Sequence, residues 1–118
     1  MEWIVVFDCE TANSDLAESF AQGPILGNGR RSLTEKSVGQ IGPLKIELFS
    51  KEHPPPHFRV SCQGETANYR ISDCLKLNGG LERFDRNIRQ WHAQNKQKLI
   101  STWDDRRPTN CPVGAYAE

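Results

Sequence analysis

Apolar and polar residues follow two different periods along this chain, one typical of strands and one typical of helices. A continuous apolar run over residues 3–7 predicts a buried strand. Residues 15–21 are predicted to form a short helix, because Asp15 and the glutamate three positions later have the spacing of a capping box. Glycines and prolines then interrupt residues 23–43, which predicts a loop with one short strand near Leu33.

Three later segments, at residues 44–48, 57–62 and 66–71, alternate apolar and polar residues with the period of half-buried strands. Gln63-Gly64 separates the last two segments, and glycine tolerates the positive φ that a two-residue hairpin turn requires. We therefore predict that the chain folds back on itself at this dipeptide and that the two flanking segments pair as antiparallel strands.

The predicted hairpin, residues 57–71, sorts its side chains by polarity when His57 faces Arg70. One side is apolar and consists of Phe58, Val60, Ala67 and Tyr69. The other side is polar and consists of His57, Arg59, Ser61, Thr66, Asn68 and Arg70. Because a one-residue slip would mix the two groups, the pattern favours this register.

Helical periodicity begins after Asn78-Gly79-Gly80. One apolar stripe contains Leu81, Phe84, Ile88 and Trp91, and the opposite side carries Arg83, Arg86 and Arg89. The later apolar residues Leu99, Ile100 and Trp103 fall on a rotated stripe. We therefore predict two helices, at residues 81–93 and 96–106, with a break between them.

These elements predict an α+β fold. A small, mostly antiparallel sheet that includes hairpin 57–71 is covered on one face by the two C-terminal helices. The other sheet face, which carries His57, Arg59 and Arg70, then meets solvent or a ligand. An open strand edge at residues 44–49 or 3–7 would favour a homodimer.

The pattern also suggests a division of the chain. We assign residues 1–36 to an N-terminal extension that contains the first strand and the short helix, and residues 37–108 to the α+β domain. Residues 109–118 are expected to form a loosely held tail.

Composition and charge narrow the class of protein. The chain has 118 residues, of which 36 % are hydrophobic and 25 % charged, as expected of one soluble domain, and no apolar run is long enough for a membrane span. The formal net charge is zero, which excludes a strongly basic nucleic-acid coat, although acids dominate residues 1–20 and bases dominate residues 83–107. Without a secretory signal pattern we expect a cytoplasmic location and reduced cysteines.

The polar side of the hairpin is the first candidate site. It combines His57, Arg59 and Arg70 with Asn68 and, nearby in sequence, His53. A histidine between two guanidinium groups is expected to stay neutral near pH 7. It can then act as a general base toward a ribose hydroxyl while arginine holds the phosphate, it can bind a partner, or it can simply stabilise the turn by a hydrogen bond.

Binding is the alternative that the helix supports. Arg83, Arg86 and Arg89 lie on one helix face, so an acidic protein or RNA is the expected partner, bound by His53, His57, Arg59, Asn68, Arg70, Arg83, Arg86 and Arg89. The core-facing position of the helix aromatics favours an electrostatic surface over a platform for stacking bases.

Two further chemistries are weaker candidates. Asp8 and Glu10, after an apolar strand, resemble the first motif of the DEDD exonucleases, and Tyr69-x-x-x-Asp73 resembles their last. The chain is short for that fold and lacks its middle motif, so a chance match is favoured. The four cysteines, Cys9, Cys62, Cys74 and Cys111, contain no C-x-x-C pair, so no metal site or cofactor is expected.

A cysteine nucleophile paired with His92 or His57 is disfavoured as well. Cys62 points toward the core in the predicted hairpin register, and nothing in the sequence marks Cys74 or Cys9 as activated.

The segment His53-Pro54-Pro55-Pro56-His57-Phe58-Arg59-Val60 resembles the Pro-Pro-His-Phe-His-Val motif of an uncharacterised bacterial family, domain of unknown function family 4160. The resemblance covers residues 38–108. It implies a small α+β domain, and it implies products of mobile or accessory genes in toxin–antitoxin-like arrangements. The second histidine of the motif is Arg59 here, which disfavours a metal site and favours a phosphate or carboxylate.

We therefore predict a small interaction or accessory module of a toxin–antitoxin-like or mobile-gene system that binds an acidic partner. The alternative is a metal-independent ribonuclease that uses His57, Arg59 and Arg70. A metal-dependent nuclease that uses Asp8 and Glu10 is the least favoured of the three.

Overall fold

Two α-helices and five strands form the described part of the chain, which in this computed structural model comprises residues 2–26, 44–50, 56–107 and 116. The elements in chain order are β1 (Trp3–Phe7), α1 (Glu10–Ala21), β2 (Leu44–Ser50), β3 (His57–Cys62), β4 (Glu65–Arg70), β5 (Lys76–Gly79) and α2 (Asp85–Arg106), with a single 3-10 turn at Glu82–Phe84 before α2.

The five strands form one sheet in the order β1-β2-β3-β4-β5, and each neighbouring pair is antiparallel. The β3–β4 hairpin has the predicted register, with His57 opposite Arg70 and Arg59 opposite Asn68. Gln63 and Gly64 form its turn with φ values of 53° and 79°, the left-handed pair that a two-residue hairpin loop needs. The predicted register of the hairpin is confirmed.

The helices cover one face of the sheet, as predicted. Phe58 and Tyr69 from the sheet stack at 5.3 Å, and Trp91 from α2 lies 6.1 Å from Phe58. The other large, fully buried side chains are Phe7, Leu16, Phe20, Ile46, Leu48, Ile71, Leu81, Ile88, Leu99 and Trp103. The α+β class is confirmed, and the sheet face opposite the helices is called the outer face below.

The predicted break between two C-terminal helices is wrong, because α2 continues from Asp85 to Arg106. No glycine or proline interrupts this segment. At the expected break, the side chain of Asn95 donates a hydrogen bond of 2.9 Å to the Trp91 carbonyl, one helical turn earlier. The apolar stripe rotates because α2 spans the sheet. Its start contacts β4 through Tyr69, and its end pairs with Asp8 beside β1.

The predicted start of the first helix is also wrong, because α1 begins at Glu10 rather than residue 15. Its buried side chains are Ala12, Leu16 and Phe20, which follow the helical spacing of four. Most other residues of α1 are polar and face away from the core. The sequence pattern is therefore only weakly amphipathic, and the first turn was not predicted.

The N-terminal segment shares the core with the rest of the described chain. β1 pairs with β2, Phe20 stacks on Phe84 at 4.1 Å, and Asn87 donates to the carbonyls of Ser19 and Gly23, both at 3.1 Å. The predicted boundary at residue 36, the short strand near Leu33 and most of the tail 109–118 lie outside the described residues. None of the described helices has the length and apolar character needed to cross a membrane.

Candidate functional site

The outer face brings together the three side chains that the sequence singled out. His57 and Arg59 are two residues apart on β3 and therefore project from the same face. Arg70 on β4 lies directly opposite His57. The imidazole and both guanidinium groups thus share one surface, while the helices occupy the other side of the sheet.

Arg59 lies at the centre of a polar network. Its Nε donates to Asn68 Oδ1 at 2.9 Å, and its Nη2 donates to both carboxylate oxygens of Glu2 at 3.3 Å. Nη1 is 3.9 Å from Glu47 Oε1, and the guanidinium lies 4.6 Å from the centre of the Phe49 ring. Two carboxylates therefore lie beside this arginine, and together they more than offset its single positive charge.

Arg70 forms an ion pair with Asp73, three residues further along the chain. Its Nε donates to Asp73 Oδ1 at 2.8 Å, and its Nη2 pairs with the other oxygen of the same carboxylate. The Leu75 amide also donates to Asp73 Oδ1 at 3.1 Å. The guanidinium and this amide hold the pKa of the Asp73 carboxyl well below its usual range, and the carboxylate in turn raises the pKa of Arg70.

His57 is neutral near pH 7 on two grounds. Burial lowers the pKa of its imidazole, and the positive charge of Arg70 lowers it further. The direction agrees with the expectation from the sequence, but burial is the larger cause. The Nδ1 atom is buried and has no hydrogen-bond partner among the described residues. Because an orphaned N–H costs more than an orphaned acceptor, the proton of the neutral ring is expected on Nε2.

The network extends to the edge of the sheet through two amides. Asn68, which accepts from Arg59, donates through Nδ2 to Asn78 Oδ1 on β5. We call the five side chains that span β1 to β5 the outer-face network; they are Glu2, Glu47, Arg59, Asn68 and Asn78. Of these five side chains, Arg59 and Asn68 were predicted from the hairpin pattern. Extending the strand alternation to Glu47 would have added a third.

Of the three arginines predicted on the basic helix face, Arg86 and Arg89 have no ion pair among the described residues. Arg83 pairs with Glu65 at 3.0 Å, and this arginine lowers the pKa of the Glu65 carboxyl. Arg86 and Arg89 are exposed on α2. His53, the remaining predicted partner-binding residue, lies outside the described residues.

The residues proposed for two-metal chemistry are not brought together. Asp8 is exposed and pairs with Arg106 at 2.6 Å, while Glu10 is exposed in the first turn of α1. The Tyr69 hydroxyl donates to Asp85 at 2.7 Å. Within the described ranges, no group of three or more His, Cys, Asp or Glu side chains is placed to hold a metal ion.

Three cysteines are described, all as free thiols. Cys62 and Cys74 are buried, and burial raises the pKa of Cys74 to about 12. Cys9 differs from the sequence expectation. Its position as N-cap of α1 places its sulfur near the Ala12 amide, which lowers the pKa of the thiol, and Thr11 Oγ1 lies 3.6 Å away.

A polar groove of about 280 Å³ lies between the two helices. Its lining includes Asp15, Glu18, Gln22, Gln90 and Gln94. No sequence pattern predicts this groove, because its residues are adjacent only once α1 and α2 pack together. Among the described residues that line it, none is basic, so this lining does not suit an acidic partner.

Comparison with known proteins supports the resemblance found in the motif. The family model described as "Domain of unknown function (DUF4160)" matches residues 44–104, from the start of β2 almost to the end of α2. No curated protein and no solved structure matches the chain. Since the matched segment covers just over half of the chain, this protein belongs to the DUF4160 family of domains of unknown function.

Proposed function

We propose that this protein is an interaction module that binds an acidic segment of a protein partner on its outer face, within a toxin–antitoxin-like or mobile-gene system. The observation that carries the proposal is the geometry of Arg59. Its contacts to Glu2 and Glu47, at 3.3 and 3.9 Å, are longer than the roughly 2.7–2.9 Å of a strong charge-assisted hydrogen bond.

The contact with Glu2 does not use the full hydrogen-bonding capacity of the Arg59 guanidinium. Both Glu2 oxygens meet the single nitrogen Nη2, so the guanidinium does not engage this carboxylate as a parallel two-pronged pair. Glu2 thus occupies the place of an external carboxylate without using the best geometry. A carboxylate from a partner that approaches along the fork gains the stronger pair and displaces Glu2.

The surroundings of Arg59 favour a protein partner. The outer face also has exposed Ile4 and Val6 on β1, and partly exposed His57 with a proton expected on Nε2. A surface with an arginine, a hydrogen-bond donor and aliphatic side chains suits an acidic segment that also carries apolar residues.

Arg86 and Arg89 have a secondary role in this proposal. They belong to the exposed side of α2, which packs its other side on the sheet, so they do not join the outer face. Their charge steers an acidic partner toward the molecule and raises the rate of encounter. The specific contact is assigned to Arg59.

The experiment is affinity capture from the native cell extract at physiological salt, with the tag at either end in separate preparations. We expect the wild-type chain to retain an acidic protein, Glu2→Gln to retain more of it, and Arg59→Ala to lose it. Lys98→Ala, which removes an exposed cation of α2 on the helix side of the sheet, is the matched control and is expected to retain the partner like the wild type.

Two outcomes would overturn the proposal. One is recovery of no partner with either tag position. The other is capture that Arg59→Ala leaves unchanged while circular dichroism shows that the variant is folded. Arg59→Lys, which keeps the charge but not the fork, separates general attraction from specific pairing.

A metal-independent ribonuclease is the second candidate, favoured by the neutral imidazole of His57 beside Arg70. This activity requires an accepting ring nitrogen, whereas Nδ1 is buried and Nε2 is expected to carry the proton. If the protein is nevertheless a ribonuclease, induced expression should arrest growth and fragment RNA, and His57→Ala should abolish both effects. Toxicity that persists in that variant would contradict the ribonuclease.

A further inference from the structure

The two edges of the sheet are built differently. β5, at one edge, is short, carries Lys76 and Asn78, and joins β4 through an irregular register between Asn68 and Tyr69. Charges and bulges of this kind prevent another strand from adding to an edge. β1, at the other edge, is the five-residue strand Trp-Ile-Val-Val-Phe, with no charge, proline or glycine between its ends. Among the described strands, only the edge strand β5 therefore has these protective features.

β1 also exposes apolar side chains. Ile4 and Val6 are 43 % and 48 % exposed on the outer face, while the alternate residues Val5 and Phe7 are buried against the helices. Among the described strands β1 pairs with β2 alone, so half of its backbone N–H and C=O groups point away from the sheet. An edge of this composition, which no described strand covers, is a template for another strand.

The strand is complementary to itself. When two copies of β1 pair antiparallel with Val5 on the twofold axis, Ile4 of each copy faces Val6 of the other on the outer face. Trp3 likewise faces Phe7 of the other copy on the helix side. All five residues of each strand find an apolar partner, and cross-strand pairs of β-branched and aromatic side chains stabilise a sheet.

The charges that flank β1 fit the same arrangement. Glu2 falls opposite Asp8 of the other copy, which would be repulsive for bare carboxylates. Each acid already has its own cation, because Glu2 pairs with Arg59 and Asp8 pairs with Arg106. Since Arg106 is exposed next to Asp8, it comes close to Glu2 of the second copy and adds an attraction between the two chains.

We propose that a second copy of this chain binds along β1, in the antiparallel register centred on Val5, and joins two five-stranded sheets into one. The register is isologous, so it closes as a dimer and leaves no further β1 edge free. The outer faces of the two copies become continuous across the junction. The dimer does not require the acidic partner proposed above, although both arrangements use the exposed side chains of Ile4 and Val6.

The test is sedimentation velocity of the full chain from micromolar to about 1 mM protein, a range that spans weak and moderate self-association. We expect a concentration-dependent dimer for the wild type. Val6→Lys and Ile4→Lys each place a charge on the exposed side of β1 and should raise the dimer Kd about tenfold or more. Leu77→Lys, at a similarly exposed position on β5, is the matched control and should leave the Kd unchanged.

Cysteine trapping tests the register. In a background with Cys9→Ser and Cys111→Ser, the Ile4→Cys chain and the Val6→Cys chain are oxidised separately and as a mixture. Pairing centred on Val5 brings positions 4 and 6 of different copies together, so the disulfide dimer should form efficiently only in the mixture.

Three results would overturn the proposal. They are a monomer throughout the concentration range, a dimer as sensitive to Leu77→Lys as to Val6→Lys, and trapping in either separate chain that is as efficient as in the mixture. Circular dichroism and thermal unfolding establish that each lysine variant is folded, and the two β1 variants serve as independent checks on each other. Loss of acidic-partner capture with the dimer intact would count against the proposed function alone.

Discussion

The indole nitrogen of Trp91 on α2 donates a hydrogen bond of 2.7 Å to the backbone carbonyl of Ala12 on α1. Both groups are buried, and the bond joins a residue inside the family match to one outside it. Trp91 also meets Phe7 of β1 edge-to-face at 6.0 Å. One side chain therefore ties the family domain to both N-terminal elements.

Trp91→Phe is expected to lower the free energy of unfolding by about 1–3 kcal/mol, because it removes a buried hydrogen bond and leaves a cavity where the larger indole packed. Urea denaturation followed by circular dichroism measures the change. Gln97→Ala, at an exposed position on the same helix, is the control and should stay within about 0.5 kcal/mol of the wild type. A loss below that limit for Trp91→Phe would show that the bond adds nothing.

Removal of the N-terminal segment tests the same relationship at a larger scale. A chain that begins at residue 44 loses the partners of Trp91 and Phe84 and exposes the edge of β2. We expect it to show no cooperative urea transition, since burial of these aromatics supplies much of the core. Addition of a peptide with residues 1–26 should restore the transition. A sharp transition without the peptide would contradict this expectation.

Stability is expected to fall as the pH drops from about 7 to about 5, the range in which histidine titrates. Burial is the main cause that lowers the pKa of both His57 and His92 in the folded chain. As the pH falls, the unfolded chain, which has an ordinary histidine pKa, binds protons before the folded chain does. The free energy of unfolding therefore decreases as the pH falls through this window. His57→Gln with His92→Gln should flatten the slope measured by urea denaturation, and an unchanged slope would exclude both residues.

Two glycines with positive φ are expected to respond differently to alanine. Gly79 has φ of 108°, and an added Cβ would lie 2.6 Å from the Ala67 Cα, so Gly79→Ala should cost about 3 kcal/mol or more. Gly64 has φ of 79° and open space around it, so Gly64→Ala should cost about 1 kcal/mol. Thermal unfolding of the two variants gives the comparison, and equal losses would contradict it.

The hairpin was predictable because the required information is local. Alternation from His57 to Cys62 and the turn at Gln63-Gly64 fix both the register and the face of each side chain. The continuity of α2 was not apparent, since its apolar stripe shifts from one sheet partner to the next. Such a shift in sequence resembles a break when the partners are unknown.

The environment of the candidate site was less accessible. That Arg59 lies on a polar surface follows from strand alternation, but its contact with Glu2 joins residues 57 positions apart. The contact depends on β1 pairing with β2, and no local pattern reports that pairing. Likewise, the carboxylates that neutralise both arginines could not be assigned from the zero net charge of the whole chain.

The outer-face network has a direction. A guanidinium can only donate, so Arg59 forces the oxygen of Asn68 toward itself, and the Asn68 amide must then present its hydrogens to the oxygen of Asn78. The same constraint turns the NH2 group of Asn78 outward at the far rim of the sheet. Because its guanidinium is always protonated, Arg59 sets the direction of the hydrogen bonds that run across β3, β4 and β5. At the β5 end, Asn78 offers hydrogens to an incoming oxygen.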